Sequence, residues 1–374
     1  MSERPSRPAV LAVDGGNSKT DVVLVGADGA VLAQVRGPAV PPRLSAETVT
    51  LLGTLARAAA RQAGLPAPEP GAGSGADLIA GHHVACMANV DVPEEERELD
   101  EMLRAAGWSD TVDVANDTLA VLRAGLDGRL PAGLPGGPPA SPAPSAAADA
   151  AGRPDPGSHW GVGITCGAGI NGVCVAPDGR TARYLALGGL TGDWGGGNGL
   201  AASVMWAAAR AEDGRGRATL LRGAVLEHFG VQQVSEVAVG VHLGKIPAER
   251  LHGLVPVLLA VAQQGDPVAA GLVERLADEI VVMAVATIRR LGLTGAPVPV
   301  VLGGGVLTAR SPLLTRRIEA GLAADAPRAV MRIVDVPPIA GAALLGLDRT
   351  GAPAAAQARL RAAYRDADGP AAGL

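Results

Sequence analysis

Asp14-Gly15-Gly16-Asn17-Ser18-Lys19-Thr20 gathers a carboxylate, an amide, a lysine, two hydroxyls and two glycines into seven consecutive residues. Glycines let backbone N–H groups close on a phosphate, and Asn17, Ser18 and Thr20 add side-chain donors. Lys19 supplies charge opposite a polyphosphate, and Asp14 is placed to hold Mg²⁺ through water. A second turn, Thr165-Cys166-Gly167-Ala168-Gly169-Ile170-Asn171, offers the Thr165 hydroxyl and the backbone around Gly167 and Gly169 for β- and γ-phosphates. Asp117 stands in Val114-Ala115-Asn116-Asp117-Thr118, where an apolar run gives way to a helical pattern. A carboxylate there can take the proton of an attacking hydroxyl, the acid–base step that phosphoryl transfer requires. Aspartate is also an ordinary first-turn residue of helices, so this reading depends on the two turns beside it.

Two more glycine stretches belong to the same chemistry. Gly188-Gly189-Leu190-Thr191-Gly192-Asp193-Trp194-Gly195-Gly196-Gly197 precedes an Ala-rich helical pattern. Asp193 is a candidate for acceptor hydroxyls or the metal's surroundings, and Trp194 for an apolar face under a sugar ring. The stretch is not a dinucleotide fingerprint, because counting from Gly195 and Gly197 the third glycine position holds Leu200. Gly303-Gly304-Gly305-Val306 lies between a strand-like run and a helical one. Its bare backbone suits the adenosine of ATP, the alternative being a turn that needs positive φ.

The elements that must position these residues can be read from periodicity. Ala9–Val13, Asp21–Val25 and Val31–Val35 are β-branched runs around the first turn and an Asp28-Gly29 hairpin signal. A helix is expected from Ser45 to Gly64, a short strand at Leu78–Ile79 followed by His82-His83, a helix over Glu94–Ala106, and a strand at Val112–Val114. Asn116 caps a helix running to about Leu126. From His159 the order of strand, glycine turn, strand, Asp178-Gly179 and strand starts again, followed by helices over 200–291, strands at Val298–Leu302 and Arg332–Val336, and a helical stretch past Ile339. Two halves with one plan predict a duplicated α/β architecture. The expected division is 8–126, completed by the C-terminal helical segment at about 339–366, then a Pro/Ala-rich insertion at 127–158, then 159–338.

Composition narrows the class. The 374 residues exceed one typical core, 48% are hydrophobic, and only 2% are aromatic. The net charge of −5 is interspersed, so no basic face invites nucleic acid. No apolar run is long enough for a membrane span, and Met1–Pro8 lacks the apolar stretch of a signal peptide. Cys86, Cys166 and Cys174 show no CxxC spacing, and no HExxH, His/Cys cluster or GxSxG elbow occurs. The expectation is a cytoplasmic globular enzyme without a disulfide, zinc or iron–sulfur framework.

From about Ala9 to Gly346 the chain resembles the BadF/BadG/BcrA/BcrD ATPase family, and within it the N-acetylglucosamine kinases. The resemblance rests on VDGGNSKTDVVLV, VANDTLAVL, CGAGINGV, GGLTGDWGGG, AQQGDP, VVLGGGV and IAGAALLG, in that order. It implies duplicated ribonuclease H-like domains of the actin/Hsp70/sugar-kinase fold, ATP and Mg²⁺ in the interdomain cleft, closure on a sugar or amino-sugar acceptor, and often a homodimer. It also implies Asp117 as the catalytic aspartate and Asp193 as a contact to the sugar, beside which Asn116 and Trp194 are further candidates on the acceptor side. Ala168 and Ile170 stand where the kinases usually carry a hydroxyl residue, GDEGS reads GDWGG, and Gly37–Pro42 replaces the Asn and Trp that hold an N-acetylated sugar. Two other uses of the scaffold stay open at this stage, a sugar or nucleotide sensor and an ATPase that drives a partner.

Overall fold

The computed structural model describes residues 7–67, 78–131, 133–134 and 159–365. Strands β1 (Val10–Gly15), β2 (Thr20–Val25) and β3 (Val31–Gly37) form an antiparallel meander of mostly buried β-branched and aliphatic residues. Gly29 takes φ +80° in the β2–β3 turn, where Asp28 Oδ1 accepts from the Ala30 N–H. Helix α1 (Ala46–Gln62), strand β4 (Ala80–Met87), helix α2 (Pro93–Ala106), strand β5 (Ser109–Asn116) and helix α3 (Asp117–Gly125) follow. Because β4 and β5 run parallel to β1, the sheet order is β3-β2-β1-β4-β5.

The second half repeats this plan. Strands β6 (Gly161–Cys166), β7 (Ile170–Val175) and β8 (Thr181–Arg183) make the second meander. A helical block of α4 (Gly196–Glu212), α5 (Leu221–Phe229), α6 (Val234–His242), α7 (Leu254–Gln263) and α8 (Pro267–Arg290) precedes β9 (Pro299–Gly303), α9 (Gly305–Thr308), α10 (Pro312–Asp325) and β10 (Val330–Ile333). The order β8-β7-β6-β9-β10 is the first sheet's order with each strand replaced by its counterpart. The duplicated α/β architecture expected from the repeated pattern is therefore present strand for strand. The Pro/Ala-rich stretch from 135 to 158 lies outside the described residues.

The chain closes with α11 (Pro338–Arg349) and α12 (Ala354–Arg365), separated by Gly351 at φ +71° and Pro353. Helix α11 is buried without a break from Ile339 to Asp348, as an apolar-all-round inner helix must be. It packs on α3, β1 and β4, so the last elements of the chain cover the first sheet. One apolar cluster joins Val10 and Val84 of the first sheet to Val173, Val175 and Val301 of the second through α3 and α11. Helix crossing is close: a β-carbon on Gly341 would sit 1.9 Å from the Ala120 carbonyl oxygen. Arg123, at the end of α3, is fully buried and donates through Nε to Asp348 Oδ2 at 2.6 Å and through Nη2 to Gln357 Oε1 at 2.8 Å. That ion pair locks α3 to both closing helices, since breaking it would leave a buried charge uncompensated.

Strand β4 departs from expectation. The sequence places a strand at 78–79 with His82-His83 beyond it. Instead both histidines are inside β4 and buried. His82 Nδ1 meets Thr111 Oγ1 of β5 at 2.8 Å, and the His83 ring lies 5.8 Å from that of Trp108. Burial holds both imidazoles neutral, His82 pushed down to about 4 and His83 to about 3, so they behave as core residues.

Candidate active site

The two glycine turns open on one cleft of about 1060 Å³. Its lining includes Asp14, Gly16, Asn17, Ser18 and Lys19 from the first turn, Thr165, Gly167 and Gly169 from the second, Asp117, Asp193, Trp194, Gly304 and Gly305. Four residues selected from the sequence stand behind this surface. Gly15 is pressed against Met87, where a β-carbon would come within 2.5 Å of the sulfur. Thr20 is buried and its hydroxyl donates to the Pro38 carbonyl at 2.7 Å. Gly303 packs on Val121 of α3. Asn116 is buried as the N-cap of α3, its Oδ1 accepting from the Thr118 N–H at 3.1 Å and its Nδ2 donating to the Val90 carbonyl and Asp91 Oδ1.

Local chemistry explains how the turns hold their shape. The Gly16 N–H donates to the Lys19 carbonyl at 2.9 Å, which closes the first turn and leaves Asn17 and Ser18 at its exposed tip. Lys19 Nζ donates to Asp21 Oδ2 at 2.6 Å, and Arg36 shares the same buried carboxylate. The second turn is braced by the start of α4: Gly197 N–H donates to the Gly167 carbonyl at 2.7 Å and Asn198 N–H to the Ala168 carbonyl at 2.9 Å. Gly196 has φ +67°, and a β-carbon on it would lie 2.5 Å from the Gly169 carbonyl carbon, so only glycine fits there. The Gly195-Gly196-Gly197 run is thus the footing of the second turn. Thr165 Oγ1 is buried at the cleft surface and has no hydrogen-bond partner among the described residues. An orphan hydroxyl in such a place suits a phosphate oxygen or a metal-bound water.

Asp117 leads α3 from the end of β5, a strand-to-helix step that aims its carboxyl into the cleft. Burial raises it to about 6, against the Thr118 N–H that lowers it. Asp14 rises to about 7 through burial first, then through the nearby Asp117 and Asp21 charges, with Lys19 and Arg36 opposing. Asp91, from the β4–α2 connection, also rises to about 7, through burial and then the charges of Asp117 and Glu95. Three partly neutralised carboxyls in one cleft attract a cation. Among the described residues, no three Asp, Glu, His or Cys groups converge tightly enough to enclose a metal themselves. The cleft carboxyls would fit Mg²⁺, which keeps several waters and takes only one or two carboxylates from its protein.

Sequence reasoning misses Asp91. Its Oδ1 accepts from Asn116 Nδ2 at 3.0 Å and from Asn171 Nδ2 at 3.2 Å, joining the β4–α2 connection to the second turn. Asn171 also reaches Asn116 Oδ1 at 3.3 Å. Trp194 is only partly available: the Arg275 guanidinium carbon sits 4.0 Å from its ring centroid, covering one face. Asp193 is held within its loop, its N–H donating to the Gly188 carbonyl and its Oδ2 accepting from Thr191 Oγ1. Ala186 and Arg310, the non-glycine residues with positive φ among those described, both line the cleft. Backbone strain collects at functional sites.

Comparison with known proteins agrees with this architecture. A family model for the BadF/BadG/BcrA/BcrD ATPase family matches residues 11–346. An N-acetylmuramic acid/N-acetylglucosamine kinase of Clostridium acetobutylicum is 22% identical over 304 residues, which are 80% of this chain and 85% of that protein. A protein of Chromobacterium violaceum provisionally named an N-acetylglucosamine kinase superposes with TM-score 0.62 at 23% identity, covering 92% of this chain and all of that one. Another, from Porphyromonas gingivalis, gives 0.60 at 17% identity over 91% and 99%. A ROK-family glucokinase of Streptomyces griseus shares the fold at TM-score 0.50 and 16% identity, over 91% and 97%. The two-domain α/β fold of the sugar kinases is common to these three solved structures and to this chain.

Proposed function

This chain belongs to the BadF/BadG/BcrA/BcrD ATPase family, and from that premise we propose that it transfers the γ-phosphoryl group of ATP to a hydroxyl of a sugar. The observation that carries the proposal is Asp117, a carboxyl raised to about 6 at the head of α3, in one cleft with both glycine turns. The first turn, with Lys19, and the second, with Thr165, hold the triphosphate through backbone N–H groups and side-chain donors. Asp117 accepts the proton of the acceptor hydroxyl as the oxygen–phosphorus bond forms. Asp91 and Asn116 hold the Asn171 amide beside it. Asp14 would hold magnesium through water, and the ion would supply neutralising charge on the phosphates.

For the acceptor we propose an amino sugar, N-acetylglucosamine or glucosamine, and the charge of the wall supports it. Asp91, Asp117 and Asp193 line it, and Lys19 already pairs with Asp21. Such a wall favours a neutral or cationic sugar over one bearing a carboxylate, such as N-acetylmuramic acid. Domain closure would exclude water from the site, and a homodimer in the cytoplasm is the assembly the family resemblance suggests.

The test is a coupled ADP-release assay with MgATP against neutral, amino, N-acetylated and acidic sugars, run beside Asp117→Asn. We expect ADP release that depends on an amino sugar and falls by about 10²- to 10⁴-fold in the variant, with nucleotide binding retained. No acceptor-dependent release, or near-wild-type turnover in Asp117→Asn, overturns the proposal.

A further inference from the structure

We infer that Arg310 binds the nucleoside end of a purine nucleotide, laying its guanidinium against the base; this rests on reading the cleft as an ATP site. Arg310 joins α9 to α10 and lines the cleft. Its φ is +51°, and its N–H donates to the Leu307 carbonyl at 3.1 Å, so it ends α9 in the left-handed position that glycine fills with least strain. Elsewhere among the described residues, every positive-φ position but Ala186 is a glycine. A long side chain kept at such a position is there for what it touches.

Its surroundings say what that is. The guanidinium has no hydrogen bond or ion pair among the described residues, whereas Lys19, the other cation lining the cleft, is tied to Asp21 at 2.6 Å. The same cleft is lined by Gly304, Gly305 and Thr308 before Arg310 in the chain and by the segment 334–338, which includes Asp335 and two prolines. None of these residues carries an aromatic ring on which a purine could stack. The cleft's aromatic residue, Trp194, belongs to the loop before α4 and has Arg275 over its ring. A guanidinium is planar, weakly hydrated and stacks on aromatic faces, so Arg310 supplies the flat surface that this aromatic-poor chain lacks. The phosphates are already served by the two glycine turns.

Arg310→Gly removes the side chain and suits the local backbone, which makes it an unusually clean substitution. Dissociation constants for ADP and for a non-hydrolysable ATP analogue are measured by calorimetry for wild type, Arg310→Gly and Arg310→Lys, with thermal unfolding alongside. We expect Arg310→Gly to weaken both nucleotides by the same factor, about 5- to 20-fold, and to unfold at an equal or higher temperature. Arg310→Lys keeps the charge but not the plane, and recovers little of that affinity. Unchanged affinity in Arg310→Gly overturns the inference, as does a loss confined to the ATP analogue, which would place the contact on the γ-phosphate. A wild-type protein that binds neither nucleotide overturns instead the reading of the cleft itself.

Discussion

Gly341→Ala tests whether the crossing of α3 and α11 sets the geometry of the cleft. A β-carbon there would lie 1.9 Å from the Ala120 carbonyl oxygen, 2.8 Å from its carbon and 3.2 Å from Ala124 Cβ. The first two belong to helix backbone, so no side chain can rotate away, and the helices must separate by about 1 Å to restore contact distances. Overpacking of this kind costs about 1–3 kcal/mol, which lowers the unfolding midpoint by roughly 1–4 °C in a chain of this size. Helix α3 also carries Asp117 at its first position. A displacement of about 1 Å at a reacting group can reduce turnover about 10²-fold, so kcat should fall far more than the stability change implies. The control is Gly271→Ala in α8, where nothing lies within 4 Å of the new methyl. There the same substitution removes only helix-interior glycine flexibility and should stabilise by about 0.5–1 kcal/mol with kcat unchanged. Thermal melts and steady-state rates on both variants decide the matter. A Gly341→Ala protein with wild-type midpoint and wild-type kcat would refute the close-crossing argument.

Two further outcomes concern pH. Because Asp117 must be unprotonated to accept a proton, kcat/KM should rise with pH through about 6 and level off above; a rate that declines over that range would contradict its role as base. His83 is buried with its folded value lowered to about 3 from 6.5, so its share of stability is complete above pH 6.5 and is lost as pH falls towards 3. The raised cleft carboxyls act in the opposite sense, so the imidazole is isolated by comparison with His83→Leu. Between pH 7 and pH 5 the wild type should lose about 2 kcal/mol relative to that variant in denaturant titrations, and a constant difference would show that the ring is solvated.

Much of the site is legible in the sequence because phosphate chemistry leaves a local signature. Glycines, hydroxyls and charges crowd into the first turn, and the repeat of strand, turn and Asp-Gly hairpin in each half announces the duplicated sheet order. Asp117 is legible for a related reason: a carboxylate at the step from an apolar strand to a helix has few places to point. What escapes is set by contacts between distant segments. Asp91 sits in Ala-Asn-Val-Asp-Val-Pro without any periodic pattern, and becomes part of the site only when β4 lies beside β5 and Asn171 reaches it from the second half. Trp194 reads as an open sugar platform because Arg275, which covers it, is in another helix. Two polar letters, His82-His83, interrupt an apolar run and shift the expected strand, although inside the sheet they are sheltered by Thr111 and Trp108. Asn116, by contrast, reads as a helix cap and is one, its Oδ1 accepting from the Thr118 N–H.

The way the chain ends on its own beginning bears on how it is made. Gln34 accepts from Tyr364 Oη at 2.8 Å, 330 positions later; Asp28 meets Arg359, and Arg123 finds Asp348 after 225 residues. At about 5–20 residues per second of synthesis, these partners emerge from the ribosome roughly tens of seconds apart. Throughout that interval the first sheet has no α11 to cover it, and a guanidinium destined for the interior has no counter-ion. The second sheet shares that wait in part, since Val173, Val175 and Val301 belong to the apolar cluster that α11 completes. The first sheet, and the phosphate turn it carries, therefore gain their full support only once the last helices have been made.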